Sequence, residues 1–70
     1  MNSKTARFHL LSVRRHVNET LRAITPVAED KDLCCHQELS DMRQQLVGIA
    51  SDVDILIEHL EADAWGVEAA

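Results

Sequence analysis

The sequence predicts an all-α protein, an antiparallel hairpin of two long helices that dimerises into a four-helix bundle or coiled-coil-like assembly. Two glycines and one proline are too few for the turns that a β-rich fold needs. Apolar residues instead recur at steps of three and four in two segments, which is the spacing of one helical face. Pro26 lies between the two segments. The 70 residues are therefore expected to form a single helical-hairpin domain.

Helix one is predicted over residues 3–24. Its apolar positions fall on one face; they are Ala6, Leu10, Val13, Val17, Leu21 and Ile24. The helix is expected to stop near Ile24, because proline disfavours helical geometry in the residue before it. A joint follows at 25–31, and Asp30 or Asp32 caps the next helix through its carboxylate. Alternatively, Thr25 is the cap and Pro26 the first residue of helix two.

Helix two is predicted over residues 32–63, with Gly66 as its stop and a short tail at 64–70. Its apolar positions alternate steps of three and four for three heptads, as in a coiled-coil seam, and Cys35 extends the series backwards. The predicted core or dimer seam comprises Leu10, Val13, Val17 and Leu21 of helix one and Leu39, Met42, Leu46, Ile49, Val53, Leu56 and Leu60 of helix two.

A hairpin of this size offers only one helix–helix contact. Ordering the chain costs on the order of 100 kcal/mol at roughly 1.5 kcal/mol per residue, and small domains usually need a staple, a metal or another subunit. The adjacent Cys34 and Cys35 cannot join distant parts of the chain, so any disulfide would be intermolecular. We therefore expect a homodimer of hairpins. A different partner protein is the alternative occupant of the seam.

Charge is divided unequally between the helices. Residues 1–24 carry five basic side chains against Glu19, a balance of +4. Residues 25–70 carry two basic and eleven acidic side chains, a balance of −9. The basic start of helix one is expected to lie against the acidic end of helix two, which favours the antiparallel pairing. The alternative is that the acidic end is a docking or decoy surface for a basic partner.

One face of helix one mixes basic and apolar side chains. At 100° per residue, its five basic residues share an arc of about 100° that contains Leu11 and has Phe8 at its edge. Arginines around large apolar anchors are typical of protein interfaces. The alternative is an ordinary solvated face with two stray apolar residues. We call this surface the mixed face; it comprises Lys4, Arg7, Phe8, Leu11, Arg14, Arg15, Asn18 and Arg22.

The end of helix two is a second candidate binding surface, formed by Ile55, Glu58, Glu61 and Trp65. Because helix two is predicted to be the longer helix, the segment 55–65 is expected to project beyond helix one. Its apolar side chains should then be covered by a second subunit, by the first residues of the chain or by another protein. Trp65 is expected either to cap the core of the bundle or to anchor a partner.

The basic residues of the mixed face also suggest RNA as an alternative ligand. In architecture, though in no sequence motif, the layout resembles the plasmid repressor-of-primer family. Members of that family are dimers of helical hairpins that present paired first helices, with basic residues around a phenylalanine, to RNA. The resemblance implies an RNA-binding alternative that uses the basic face of helix one. The acidic second helix argues against it, because nucleic-acid binding favours a net positive field.

Catalytic, metal and cofactor chemistry are not expected. Cys34, Cys35 and His36 point about 100° apart on a helix, so they cannot all reach one ion. For the same reason Cys34 and His36 do not make a nucleophile–base pair. The sequence has no glycine-rich phosphate loop, no signal peptide and no apolar run of ~18 residues that would cross a membrane. We expect a reduced, cytoplasmic protein that is not an enzyme.

These features predict a small regulatory protein that binds another protein and occludes its working surface. Small size, acidity and the lack of catalytic chemistry suit an inhibitor, an anti-activator or a small chaperone of bacterial or phage type. The first alternative is the RNA-binding hairpin dimer. The second is a structural subunit of a larger helical assembly, in which the isolated chain would fold poorly.

Overall fold

The computed structural model describes residues 1–66, and within them it shows two helices packed against each other. Helix α1 spans Ser3–Ala28 and helix α2 spans His36–Trp65, and residues 29–35 join them. This confirms the all-α hairpin. The particle measures 51 × 23 × 15 Å, so it is a flat slab with two broad faces, each of which shows both helices.

Helix α1 begins where it was predicted but ends four residues later. The side chain of Asn2 caps its start by accepting a hydrogen bond from the backbone N–H of Thr5 at 2.8 Å. The expected end near Ile24 is wrong, because the helix continues through Pro26 to Ala28. Pro26 has no N–H to donate to the carbonyl of Arg22 and its ring crowds that carbonyl, but only two residues of the helix follow it. The added turn brings Ala28, 4% exposed, into the core.

The predicted start of α2 at residue 32 is also wrong. The helix begins at His36, so the alternative in which Pro26 opens it is wrong as well. The carboxylate of Asp30 accepts a hydrogen bond from the backbone N–H of Asp32 at 3.0 Å, and neither aspartate caps α2. Cys35 occupies the N-cap position without a side-chain cap bond. Because it precedes the first turn, Cys35 is exposed and does not extend the seam.

The end of α2 agrees with the sequence. Gly66 takes the left-handed conformation with φ 61°, and its backbone N–H donates to the carbonyl oxygen of Ala62. This is the usual glycine stop of a helix. The predicted tail beyond residue 66 lies outside the described residues.

Each helix contacts the other along a single line of residues on its surface. The partly or fully buried apolar residues on these lines are Leu10, Val17, Leu21, Ile24 and Ala28 of α1 and Leu39, Leu46, Ala50, Val53, Ile57 and Leu60 of α2. Ile57, 3% exposed, and Val53, 6% exposed, are its most buried α2 members. Only part of the predicted seam therefore lies in the contact between the helices. Four of its members remain 41–50% exposed; they are Val13, Met42, Ile49 and Leu56.

The two helices are nearly equal in length, with 26 and 30 residues. The hydroxyl of Ser3 donates to the carboxylate of Asp63, and Arg7 pairs with Glu61, so the end of α2 lies beside the start of α1. The expected projection of segment 55–65 is wrong. It followed from helix bounds that made α1 one turn too short and began α2 too early.

Gly48 gives a simple stability prediction. It lies inside α2, and an added Cβ would meet nothing within 4 Å. Alanine favours a helix interior over glycine by about 1 kcal/mol. We therefore expect Gly48→Ala to raise the free energy of unfolding by about 1 kcal/mol in urea denaturation followed by circular dichroism. Gly66→Ala is the matched comparison and should lower it, because φ 61° strains an L-residue. A loss of stability in Gly48→Ala would reveal a contact or bend that a straight α2 lacks.

Candidate functional site

The two broad faces of the slab differ in chemistry. On one of them, basic side chains of α1 pair with acidic side chains of α2. Arg7 Nε donates to Glu61 Oε1 at 2.9 Å, and Arg14 Nη1 donates to Asp54 Oδ1 at 3.5 Å. Partly exposed pairs of this kind contribute at most about 1 kcal/mol each. Their main effect is to favour one antiparallel register, and we call this surface the ion-pair face.

Trp65 lies at the end of the ion-pair face and is 53% exposed. The guanidinium carbon of Arg7 is 5.2 Å from the centroid of its ring, and the amino nitrogen of Lys4 is 5.8 Å from it. Cation–π contacts at such exposed positions are worth about 0.5–1 kcal/mol. The indole therefore holds the basic start of α1, and it lies outside the helix–helix core.

The mixed face of α1 is divided into an engaged part and a free part. Arg7 and Arg14 are engaged by acids of α2. By contrast, Arg15 and Arg22 form no ion pair with any residue in 1–66. Phe8 is 72% exposed, which makes it the most exposed large apolar side chain of α1. The free part is the outer side of α1, away from α2.

The free part forms a continuous strip. One shallow depression is lined by Phe8, Leu11, Ser12 and Arg15. The next is lined by Leu11, Arg14, Arg15, Asn18, Glu19 and Arg22, so the two share Leu11 and Arg15. From residue 8 to residue 22 the strip is roughly 21 Å long at 1.5 Å per residue. A convex helix surface does not enclose a small molecule, so the strip suits the surface of a macromolecule.

The residues predicted at the end of helix two do not form one surface. Glu61 and Trp65 lie on the ion-pair face, where both contact Arg7. Ile55, 48% exposed, lies on the outer side of α2, away from α1, and Glu58 is exposed one turn further on. The structure therefore separates Ile55 from Trp65, and it gives the acidic end of α2 an internal partner in α1.

The second broad face has an apolar centre. Met42, Ile49 and Leu56 recur every seven residues on α2, and Val13 and Val27 are fourteen residues apart on α1. All five are 41–50% exposed. We call this surface the open face; it comprises Val13, Val27, Met42, Ile49 and Leu56. Four of them were predicted to lie in the seam. Val27 was not, although its two-heptad distance from Val13 was a usable signal.

The open face and the ion-pair face lie on opposite sides of the helix–helix contact. Consecutive residues of a helix are 100° apart, so Val13 and Arg14 fall on opposite sides of the contact line of α1. On α2, Asp54 and Leu56 fall about 80° to either side of the line through its most buried residues. Both helices therefore present charge on one broad face and apolar side chains on the other.

Other functional chemistry is sparse in the described part of the chain. Within residues 1–66, no three His, Cys, Asp or Glu side chains converge on a point where a metal ion would fit. Neither α1 nor α2 combines the length and the hydropathy that a membrane crossing requires.

Comparisons of the chain with protein-family models, with curated proteins and with solved structures found no match. A function for the chain therefore has to be argued from its own residues, above all from the strip on α1 and the two contrasting broad faces.

Proposed function

We propose that the protein is a non-enzymatic regulator that binds another protein through the free part of the mixed face and occludes that partner's working surface. The observation that carries the proposal is the 72% exposure of Phe8 beside an arginine that has no ion-pair partner in residues 1–66. Exposed aromatic and arginine side chains are the residues that most often dominate the energy of protein interfaces.

The chemistry of the strip indicates what kind of partner it fits. Arg15 and Arg22 are seven residues apart, so they lie on one line roughly 10 Å apart along the helix axis. Guanidinium groups bind carboxylates through two parallel hydrogen bonds. Phe8 and Leu11 at one end of this line would fill an apolar pocket. The expected partner is therefore a protein with an apolar pocket beside a row of acidic side chains.

The same charges argue against the RNA-binding alternative. Two of the arginines predicted for such a surface, Arg7 and Arg14, are paired with Glu61 and Asp54. The ion-pair face thus places carboxylates directly beside the basic strip. Binding to a phosphate backbone is driven by net positive charge, which this arrangement largely cancels.

The proposal predicts that Phe8→Ala and Arg15→Glu reduce partner binding at least tenfold, because each removes a principal contact of the strip. Tagged protein is used to capture partners from cells that produce it, and the affinity for the purified partner is then measured by calorimetry. Circular dichroism should be unchanged, because both side chains are exposed. Val47→Ala and Gln44→Glu are matched controls, since they change exposed positions of α2 away from the strip.

Two outcomes would contradict the proposal. A partner that binds the wild type and both strip variants equally well would place the binding surface elsewhere. Retention of RNA that weakens steeply with salt and with Arg14→Ala or Arg15→Ala would favour the nucleic-acid alternative.

A further inference from the structure

We propose that the open face docks a second copy of this chain, with α1 of each copy packed against α2 of the other. The strip with Phe8 remains accessible on the outside of both copies in this arrangement. The dimer therefore does not depend on the proposed function, and an experiment can contradict either proposal without contradicting the other.

The core of a single hairpin is small. In residues 1–66, the buried apolar residues are Ala28, Val53 and Ile57, which are 3–6% exposed. A chain this short that buries so little usually gains its stability from a further surface. Leu56 of the open face directly precedes Ile57 in α2. A second copy on this face would therefore enlarge the existing core and would not need to form a separate one.

The flat shape of the slab also favours a dimer. A standard protein interface takes roughly 800 Å² from each partner. A face of 51 × 23 Å is larger than this, so one broad face is enough for a stable dimer. The ion-pair face is the less suitable of the two, since its charged groups would lose water on docking.

The two halves of the open face match in spacing. Val13 and Val27 are fourteen residues apart on α1, and Met42 and Leu56 are fourteen apart on α2, roughly 21 Å in both cases. The register set by the ion pairs places Val13 about level with Leu56, and Val27 about level with Met42. A twofold axis parallel to the helices then brings each valine of one copy to the larger side chain of the other. An interface between identical chains needs this self-complementarity.

Charge selects this pairing over one that joins like helices. On α2 the open face is bordered by the exposed acids Glu38, Asp52 and Asp63. On α1 it is bordered by the exposed His9 and His16, and no acid stands on that border within residues 3–28. Packing α2 on α2 would oppose rows of carboxylates, whereas packing α1 on α2 places the acid-free border of α1 opposite them.

Sedimentation equilibrium tests the dimer. The wild type is expected at twice the 7.9 kDa mass of one chain. The double variant Ile49→Glu with Leu56→Glu is expected at the mass of one chain, because it places charges in the middle of the interface. Ile55→Glu is the matched control and should stay dimeric, since Ile55 is 48% exposed on the outer side of the same helix. A one-chain mass for the wild type, or a dimer that survives both glutamates, would overturn the proposal.

Disulfide exchange tests the pairing and does not require a folded double variant. The exposed Cys34 and Cys35 are replaced by serine, and two proteins are made, one with Val13→Cys and one with Leu56→Cys. When they are mixed and oxidised in a glutathione buffer, the crosslinked product is expected to contain one chain of each kind. Crosslinks formed mainly between two copies of the same variant would contradict the packing of α1 on α2.

Discussion

Ile57→Ala is expected to lower the free energy of unfolding by about 2–4 kcal/mol, a large share of the stability of so small a domain. Ile57 is 3% exposed, which makes it the most buried side chain of residues 1–66. The loss combines the transfer free energy of the removed methyl groups with the cost of the cavity left between the helices. Urea denaturation followed by circular dichroism measures the change.

The same substitution at Ile55 is the control. It lies two positions away in the same helix and has the same chemistry, but its side chain is 48% exposed. Ile55→Ala should therefore lower the free energy of unfolding by less than about 1 kcal/mol, because little apolar burial is lost and alanine has the better helix propensity. Equal losses in the two variants would mean that a different line of α2 faces α1.

Ala28→Asp is expected to lower the free energy of unfolding by about 3 kcal/mol or to unfold the hairpin. Ala28 is 4% exposed, so the new carboxylate would have to lose its water in an apolar contact. Ala23→Asp makes the same change at an exposed position of α1, where the cost is about 0.5 kcal/mol of helix propensity. Thermal unfolding by circular dichroism compares the two.

This pair of variants also tests the path of α1 through Pro26. If the helix ended at Ile24, residue 28 would stand in a solvated joint. The two substitutions would then lower the free energy of unfolding by nearly the same amount, which would contradict the extension of α1 to Ala28.

The apolar steps of three and four were sufficient to predict two helices, and the division of charge between them favoured the antiparallel pairing. They were not sufficient to place the helix ends. The local preference of the residue before Pro26 argues for a stop near Ile24. Burial of Ala28, a contact between distant parts of the chain, overrides that preference and cannot be read from the neighbouring residues.

The repeat in α2 predicted an apolar line but did not identify which line faces α1. Val53 and Leu46 belong to the contact under either choice. The two possible lines differ at two places: one line contains Ile49 and Leu56, and the other contains Ala50 and Ile57. Because each pair of alternatives is one residue apart, choosing between the lines amounts to a 100° rotation of the helix. An α2 that is apolar on both lines satisfies the predicted pattern, and only packing shows which line is left exposed.

The mixed face was predicted from a helical wheel, because it depends on one helix alone. Which of its arginines are free depends on the register between two helices. An antiparallel pairing of the predicted helices, 3–24 and 32–63, places Lys4 about level with Val53, whereas the structure pairs Arg7 with Glu61. The observed register therefore differs from the predicted one by about eleven residues, or about three helical turns. It places Arg7 and Arg14 beside acids of α2, whereas Arg15 and Arg22 lie on the outer side of α1 and are available to a partner.

Thermal unfolding at two protein concentrations a hundredfold apart tests most directly whether the open face is completed by a second copy. If folding and association are coupled, the midpoint rises with concentration. Ile49→Glu with Leu56→Glu should abolish that dependence, either by unfolding the chain or by leaving a weaker single hairpin. A cooperative transition of the wild type with the same midpoint at both concentrations would show that one hairpin is stable alone, and would contradict the dimer.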